Sequence, residues 1–154
     1  MAEHFDKEQA AEVAAGIFLE AGAVNFFTER PFIFTSGWAS PVYIDCRILI
    51  SYPDLRRNLM KVADAFIRAE IGVNNIDATD GRSKVNFCNT LRDSGAEVEH
   101  GFVLFYYDIF PESRNVLSAV GLKLHALTTW RNVLSVAKKN PRFEPATLEE
   151  VEKF

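Results

Sequence analysis

Apolar residues recur at helical spacing near the start of the chain, at Ala10, Val13, Ala14, Ile17 and Phe18, and that period predicts an amphipathic helix. Asp6 is placed to cap its first turn and Gly22 to stop it. Residues 24–47 then lose the helical period. Phe26, Phe27, Phe32, Ile33, Phe34, Val42, Tyr43 and Ile44 are strand formers, interrupted by Pro31, Ser36-Gly37 and Ser40-Pro41. The stretch therefore predicts two or three short strands joined by tight turns. A second helix follows Ser51-Tyr52-Pro53-Asp54, where a proline in the first turn gives up an N–H that would be unpaired anyway. Leu55, Leu59, Val62 and Phe66 form its apolar stripe, and Arg56, Arg57, Lys61, Asp64 and Arg68 surround it as a solvated face.

The second half alternates in a different way. Residues 83–92 read as a helix with Val85, Cys88 and Leu91 inward and Gly95 as terminator. Residues 98–107 are a nearly continuous apolar, aromatic run, which suits a strand buried on both faces. A short helix over 115–120, a strand over 122–128 and a helix over 130–138 complete the pattern. Helix and strand in alternation are the rhythm of an α/β fold with a parallel sheet flanked by helices. In this reading residues 1–50 form a small N-terminal helix-plus-strands region and residues 51–154 the α/β core of a single domain. Residues 140–145 are turn-rich, and Thr147-Leu148-Glu149-Glu150 resembles a capping box at the start of a last helix.

Composition narrows the function classes. With 48% hydrophobic and 25% charged residues among 154, the chain is long enough for a real core and unlike a disordered tail. A net charge of −4 argues against non-specific nucleic-acid binding, which depends on Lys and Arg neutralising phosphates. Residues 1–7 carry no basic stretch of the signal-peptide kind, and the apolar runs 13–19 and 102–107 are far too short to span a bilayer. No membrane association and a cytoplasmic location are expected. Cys46 and Cys88 are widely separated and read as free buried thiols. His4, His100 and His125 lack metal-ligand spacing, so no metal site built from protein side chains is expected. Trp38 and Trp130 read as packing residues, and His100 and His125 as satisfied core or edge histidines.

One segment carries candidate chemistry: Ile76-Asp77-Ala78-Thr79-Asp80-Gly81-Arg82-Ser83 leads directly into the helix that begins near Ser83. Hydroxyls and a glycine at a helix N-terminus offer unpaired N–H groups and the positive end of the dipole, which suits a phosphate. Asp77 could meet a metal or ribose hydroxyls. On local sequence alone an ordinary loop with Ser83 as helix N-cap is the better account, because Asp, Gly and Ser are common loop residues.

Thr79-Asp80-Gly81-Arg82-Ser83, continuing as Lys84-Val85-Asn86-Phe87, resembles the loop that holds the 5-phosphate of phosphoribosyl pyrophosphate in type I phosphoribosyltransferases. Phe32-Ile33-Phe34-Thr35-Ser36-Gly37-Trp38-Ala39-Ser40-Pro41-Val42-Tyr43-Ile44-Asp45-Cys46-Arg47 resembles the N-terminal hood motif of orotate phosphoribosyltransferases. Glu99-His100-Gly101-Phe102-Val103-Leu104-Phe105-Tyr106-Tyr107-Asp108-Ile109-Phe110-Pro111 resembles a late strand and turn of the same enzymes. The resemblance implies a type I phosphoribosyltransferase-like sheet beneath a hood, a homodimer, and a reaction of orotate with phosphoribosyl pyrophosphate that yields orotidine 5′-monophosphate and pyrophosphate. It implies magnesium held mainly through the substrate's pyrophosphate. By the same resemblance Thr79, Asp80, Gly81, Arg82 and Ser83 would cradle the 5-phosphate. Tyr43 and Ile44 would line the orotate pocket, with main-chain groups reading the base. Thr35, Ser36 and Gly37 would lie near the pyrophosphate, and Asp77 near the substrate.

The chain departs from the family in three places. Thr35 stands where many relatives carry a lysine, and a hydroxyl cannot neutralise pyrophosphate. Asn75 and Ile76 stand where an acidic pair is expected, leaving Asp77 alone. Before Ala78 the chain offers only Val73 and Ile76, split by two asparagines, too little for the buried strand that should carry the phosphate loop. A Gly-rich pyrophosphate loop and a Lys-rich flexible loop are likewise missing. The lost material would be about two β/α units, roughly 60 residues at about 30 each, between Asp77 and Ala78. On that reading Asp77 belongs to the entrance of an earlier strand.

Two explanations fit: a shortened form of a longer enzyme, or a real deletion product that folds differently or beside a partner. The first is favoured. Without central strands the run 102–107 would lack a neighbour on one side, and at roughly 25 cal/mol per Å² uncovering its aromatics would forfeit several kcal/mol. A non-catalytic phosphoribosyl- or nucleotide-binding relative and an inert fragment are the competing functions.

Overall fold

The computed structural model describes residues 5–35, 37–71, 83–95, 97–108 and 111–153. Helix α1 spans Lys7–Glu20, and the Asp6 carboxylate accepts the N–H groups of Glu8 and Gln9, as its position predicted. Gly22 has φ +70°, the left-handed turn that ends the helix without a Cβ clash. Ala14, Ala15 and Phe18 lose all solvent contact. An alanine face lets neighbouring elements approach closely, and α1 packs against two helices and a strand introduced below.

The strand-rich stretch holds four short strands rather than two or three: β1 Val24–Phe26, β2 Phe32–Ile33, β3 Ala39–Ser40 and β4 Val42–Ile44. β1 pairs antiparallel with β4, setting Asn25 opposite Tyr43, and β2 pairs antiparallel with β3. The extra strand arises because Pro41 breaks the run 39–44 in two. The buried Ser40 hydroxyl repairs that break, donating to the Val42 carbonyl at 2.7 Å and accepting the Val42 N–H at 3.2 Å. A 3-10 helix over Cys46–Ser51 leads into α2, Pro53–Glu70, which buries Leu59, Ala63 and Phe66. Its basic residues are exposed as expected, with Arg57 paired to Asp54 and Arg68 to Asp64.

Helix α3 covers Ser83–Asp93, β5 His100–Tyr106, α4 Pro111–Ala119, β6 Lys123–Thr129, α5 Trp130–Lys138 and α6 Pro145–Lys153. β5 and β6 run parallel, from His100 opposite Lys123 to Tyr106 opposite Thr129, joined by α4. The alternation read from the sequence is therefore a parallel α/β unit. Boundaries shift where proline and turn chemistry act: α4 starts at Pro111, four residues before the expected Asn115, and α6 at Pro145 rather than beside Thr147.

Most of the core is one cluster in which α1, α2, α5, α6 and the inner faces of β4, β5 and β6 meet; Cys88, Val98, Leu117 and Leu122 form a smaller one. Arg92 closes that second cluster by donating to the carbonyls of Val120, at 2.7 Å, and Val98. Three expectations need correction. β5 is fully buried only at Gly101, Phe102 and Val103; its later residues lean into an aromatic seam and stay half-buried. Trp38 is 52% exposed, in the turn that joins β2 to β3. Cys46 is half-buried rather than buried, while Cys88 is buried and Trp130 packs on Phe26. Among the described residues β6 is the one strand bonded to β5. Phe102 is nonetheless covered, because Phe66 of α2 lies across it at 5.6 Å.

The buried Thr128 hydroxyl donates to the Ala11 carbonyl at 2.9 Å and fastens β6 to α1. Thr128→Val keeps the shape and loses that bond, so urea unfolding should show a stability loss of about 1 kcal/mol with an unchanged denaturant slope.

Candidate active site

In open parallel sheets ligands sit beyond the carboxyl ends of the strands, where loops and helix starts converge. The described part of that region is the C-terminal end of β5 with the four short strands standing over it. Thr35 and Gly37 lie in the turn that joins β2 to β3. The Phe34 N–H donates to the Trp38 carbonyl and the Gly37 N–H to the Phe34 carbonyl, both at 2.8 Å. Gly37 has φ +84°, so a side chain there would strain the turn. Thr35 is exposed, its hydroxyl available to solvent-borne ligands.

Tyr43 belongs to a seam of aromatic rings. Its ring lies 4.4 Å from Phe32 and 6.4 Å from Phe34. Phe34 meets Tyr107 edge-on at 5.4 Å, and Tyr107 meets Phe105 edge-on at 4.9 Å. The seam presents half-buried π surface of the kind that receives a planar ring. Ile44 is placed differently from its neighbour. Its side chain is buried in the core, and its N–H donates to the Tyr107 hydroxyl oxygen at 3.1 Å. In this structure the Ile44 amide therefore does not stand free to read a base.

Burial pushes the Tyr107 hydroxyl up to about 12, despite the opposing Ile44 N–H, so it stays protonated at neutral pH. Burial also lifts the Cys46 thiol to about 11, with the negative charge of Asp45 adding to the effect, which leaves it a poor nucleophile. Asp45 accepts two hydrogen bonds from the Arg47 side chain, at 2.9 and 3.2 Å, and these hold its carboxyl below the usual range.

Ser36, Asp77, Thr79, Asp80, Gly81 and Arg82 lie outside the described residues, as does the junction between Asp77 and Ala78. Ser83 is the first residue of α3, so a helix does begin where the phosphate-loop reading needs one. Tyr107, Phe34 and Phe105 are the residues that sequence reasoning passed over. Their run was legible as a strand, but the partner of the Tyr107 hydroxyl lies 63 positions away. No local pattern announces a contact of that kind.

A second polar cluster sits at the opposite, N-terminal end of the sheet. His100 Nδ1 and His125 Nε2 approach to 2.8 Å with the rings stacked. The two histidines are satisfied by each other, in line with the structural role expected of them. Among the described residues no group of three His, Cys, Asp or Glu could hold a metal ion.

The fold is shared with solved phosphoribosyltransferase structures. It matches a Leishmania donovani UMP synthase with a TM-score of 0.72 at 21% identity, covering 96% of this chain and 42% of that one. It matches a crystal structure of orotate phosphoribosyltransferase from Aeropyrum pernix with a TM-score of 0.60 at 20% identity, covering 79% of this chain and 97% of that one. No protein-family model matches the chain. The sequence is 35% identical to the orotate phosphoribosyltransferase of Sinorhizobium medicae (strain WSM419), over 97% of this chain and 88% of that protein. It is 33% identical to that of Roseobacter denitrificans (strain ATCC 33942 / OCh 114), over 97% and 91%. The architecture is thus that of a type I phosphoribosyltransferase. The chain belongs to the orotate phosphoribosyltransferase family.

The matched stretch is 205 residues long, against 154 residues in the whole chain. At least 51 positions of the alignment therefore have no counterpart here, close to the two β/α units expected to be missing.

Burial holds the His125 pKa below its ordinary 6.5, and the positive charges of His100, Lys123 and Lys7 add to this while Glu70 opposes it. A histidine whose pKa is depressed by folding takes up fewer protons in the native state than in the unfolded one. Its contribution is present above the unfolded pKa and lost as pH falls through and below that value. Urea midpoints measured between pH 8 and pH 5.5 should fall on the acid side, and His125→Gln should flatten that fall.

Proposed function

We propose that the protein to which this chain belongs transfers the phosphoribosyl group of phosphoribosyl pyrophosphate to orotate, giving orotidine 5′-monophosphate and pyrophosphate in pyrimidine biosynthesis. Identity of 33–35% over 97% of the chain to proteins that carry that name supports this reading. A nitrogen of the base forms a bond to C1 of the ribose as the bond from C1 to pyrophosphate breaks; pyrophosphate leaves with the electron pair, and the proton of that nitrogen passes to solvent or to the departing pyrophosphate. Oxocarbenium-like charge grows on the ribose along that path. Catalysis therefore rests on holding base and sugar in line and on stabilising the leaving charge.

The roles fall to residues in three groups. The aromatic seam around Tyr43 would receive the planar base, and the turn of Thr35, Ser36 and Gly37 would face the pyrophosphate. Main-chain N–H groups and hydroxyls of Thr79, Asp80, Gly81, Arg82 and Ser83 would hold the 5-phosphate, with Asp77 near the ribose. The described side chains do not form a cage for a resident metal. Magnesium in this reading arrives with the pyrophosphate of the substrate, as a hard cation that favours phosphate oxygens. A homodimer and a cytoplasmic location belong to the same reading. No helix among the described residues is long and apolar enough to cross a membrane.

One observation favours a second reading, a relative that binds phosphoribosyl ligands without turning them over. The alignment has 51 or more positions without a counterpart here, and with Asn75 and Ile76 in place of an acidic pair this fits the lack of a Gly-rich pyrophosphate loop read from the sequence. Two measurements separate the readings. The natural protein should have an intact mass well above 17.4 kDa, and it should consume orotate when supplied with phosphoribosyl pyrophosphate and magnesium. A mass of 17.4 kDa, with orotidine 5′-monophosphate bound and no orotate consumed, would establish the binding-only reading instead.

A further inference from the structure

Tyr107 is the first residue beyond β5, and Asp108 after it turns the chain with φ +55°, a left-handed conformation that aspartate adopts more readily than most non-glycine residues. The Tyr107 ring is fixed on two sides by the edges of Phe34 and Phe105. Its hydroxyl reaches across to the last residue of β4 and accepts the Ile44 N–H. β4 carries Tyr43 directly beside that bond and is tied through Ser40 to the β2–β3 hairpin. One side chain from the core strand thus meets the four short strands twice, by ring contact at Phe34 and by hydrogen bond at Ile44. The contact is half-buried, so water competes poorly for the Ile44 amide.

We propose that Tyr107 is a positioning residue: its hydroxyl fixes β4, and with it the Tyr43 ring and the hairpin bearing Thr35 and Gly37, over the carboxyl end of β5. The consequence for substrate rests on the orotate phosphoribosyltransferase reading above. A hood held in register keeps the base-binding seam at a constant height over the sheet. A loosened hood must be ordered again each time a base binds, and affinity falls by the population of the competent position.

Tyr107→Phe removes the oxygen and keeps the ring. Amide hydrogen exchange without ligand should show residues 24–26 and 42–45 opening about fivefold to tenfold faster, with α1, β6 and α5 unchanged. Orotate affinity by calorimetry should fall by a similar factor. Thr128→Val, which loosens β6 from α1 and leaves the seam intact, serves as the control for general destabilisation. Unchanged hood exchange in Tyr107→Phe would overturn the proposal. So would faster exchange spread evenly over the chain, or a looser hood with orotate affinity intact. If the unsubstituted protein takes up no orotate while the variant's hood still opens faster, the hydroxyl's hold on the hood stands and the substrate reading is what fails.

Discussion

Helix α1 comes first in the chain and stands near the centre of the structure. Its small residues allow α5, β6 and α2 to approach a single helix at once. Ala14, Ala15 and Phe18 are without solvent contact, and α1, α2, α5 and β6 all contribute to one core cluster. Close approach of this kind depends on the absence of bulk at Ala10, Ala14 and Ala15, because a larger side chain there would separate the elements that the rest of the core needs in contact. The Thr128 bond to the Ala11 carbonyl then sets the height of β6 along the helix. A segment from the N-terminal region thereby becomes the platform on which the later βαβ unit rests.

The same arrangement explains how a reduced sheet keeps its side chains covered. β5 has one bonded neighbour among the described residues, yet Phe102 and Val103 are buried. Cover comes from the helices rather than from a second strand: α2 brings Phe66 against Phe102, and α1 brings Phe18 to 6.2 Å from Phe105. The backbone of a strand and its side chains are thus satisfied by different partners, and one bonded neighbour among the described residues is enough to leave Phe102 and Val103 covered. The half-buried part of the run is 104–107, where Phe105 packs on Phe18 and Tyr107 meets Phe34 of the short strands.

That contact joins fold to function. The aromatic seam lies where a strand end meets the four short strands, at the carboxyl edge of the sheet, which is where the proposed chemistry would need a planar base to lie. Family membership and seam support each other because the hood motif and the late-strand motif are the two halves of that seam. Phe32, Phe34 and Tyr43 come from one, and Phe105 and Tyr107 from the other. The alignment exceeds the chain's own length by at least 51 positions, while both motifs that build the seam are present in the chain.

Much was legible from residue order alone because the signals involved are local. The Asp6 cap, the stop at Gly22, the proline start of α2, the βαβ rhythm and the helix starting at Ser83 follow from backbone sterics and from periodicities within a few residues of one another. Motif resemblance supplied the family, and the shortage of strand formers before Ala78 led to the expectation of missing material, which an alignment longer than the chain supports without locating it. The contacts that reach across the chain were not legible. The split of 39–44 into two strands depends on the Ser40 hydroxyl bridging Pro41, the mutual satisfaction of His100 and His125 on strand register, and the Tyr107 bond to Ile44 on the way β5 and β4 meet. Sequence fixes which groups can donate, accept or stack, since that is chemistry carried by each residue. Which of them come to 3.1 Å across 63 positions is set only when the core has packed and brought distant backbone together.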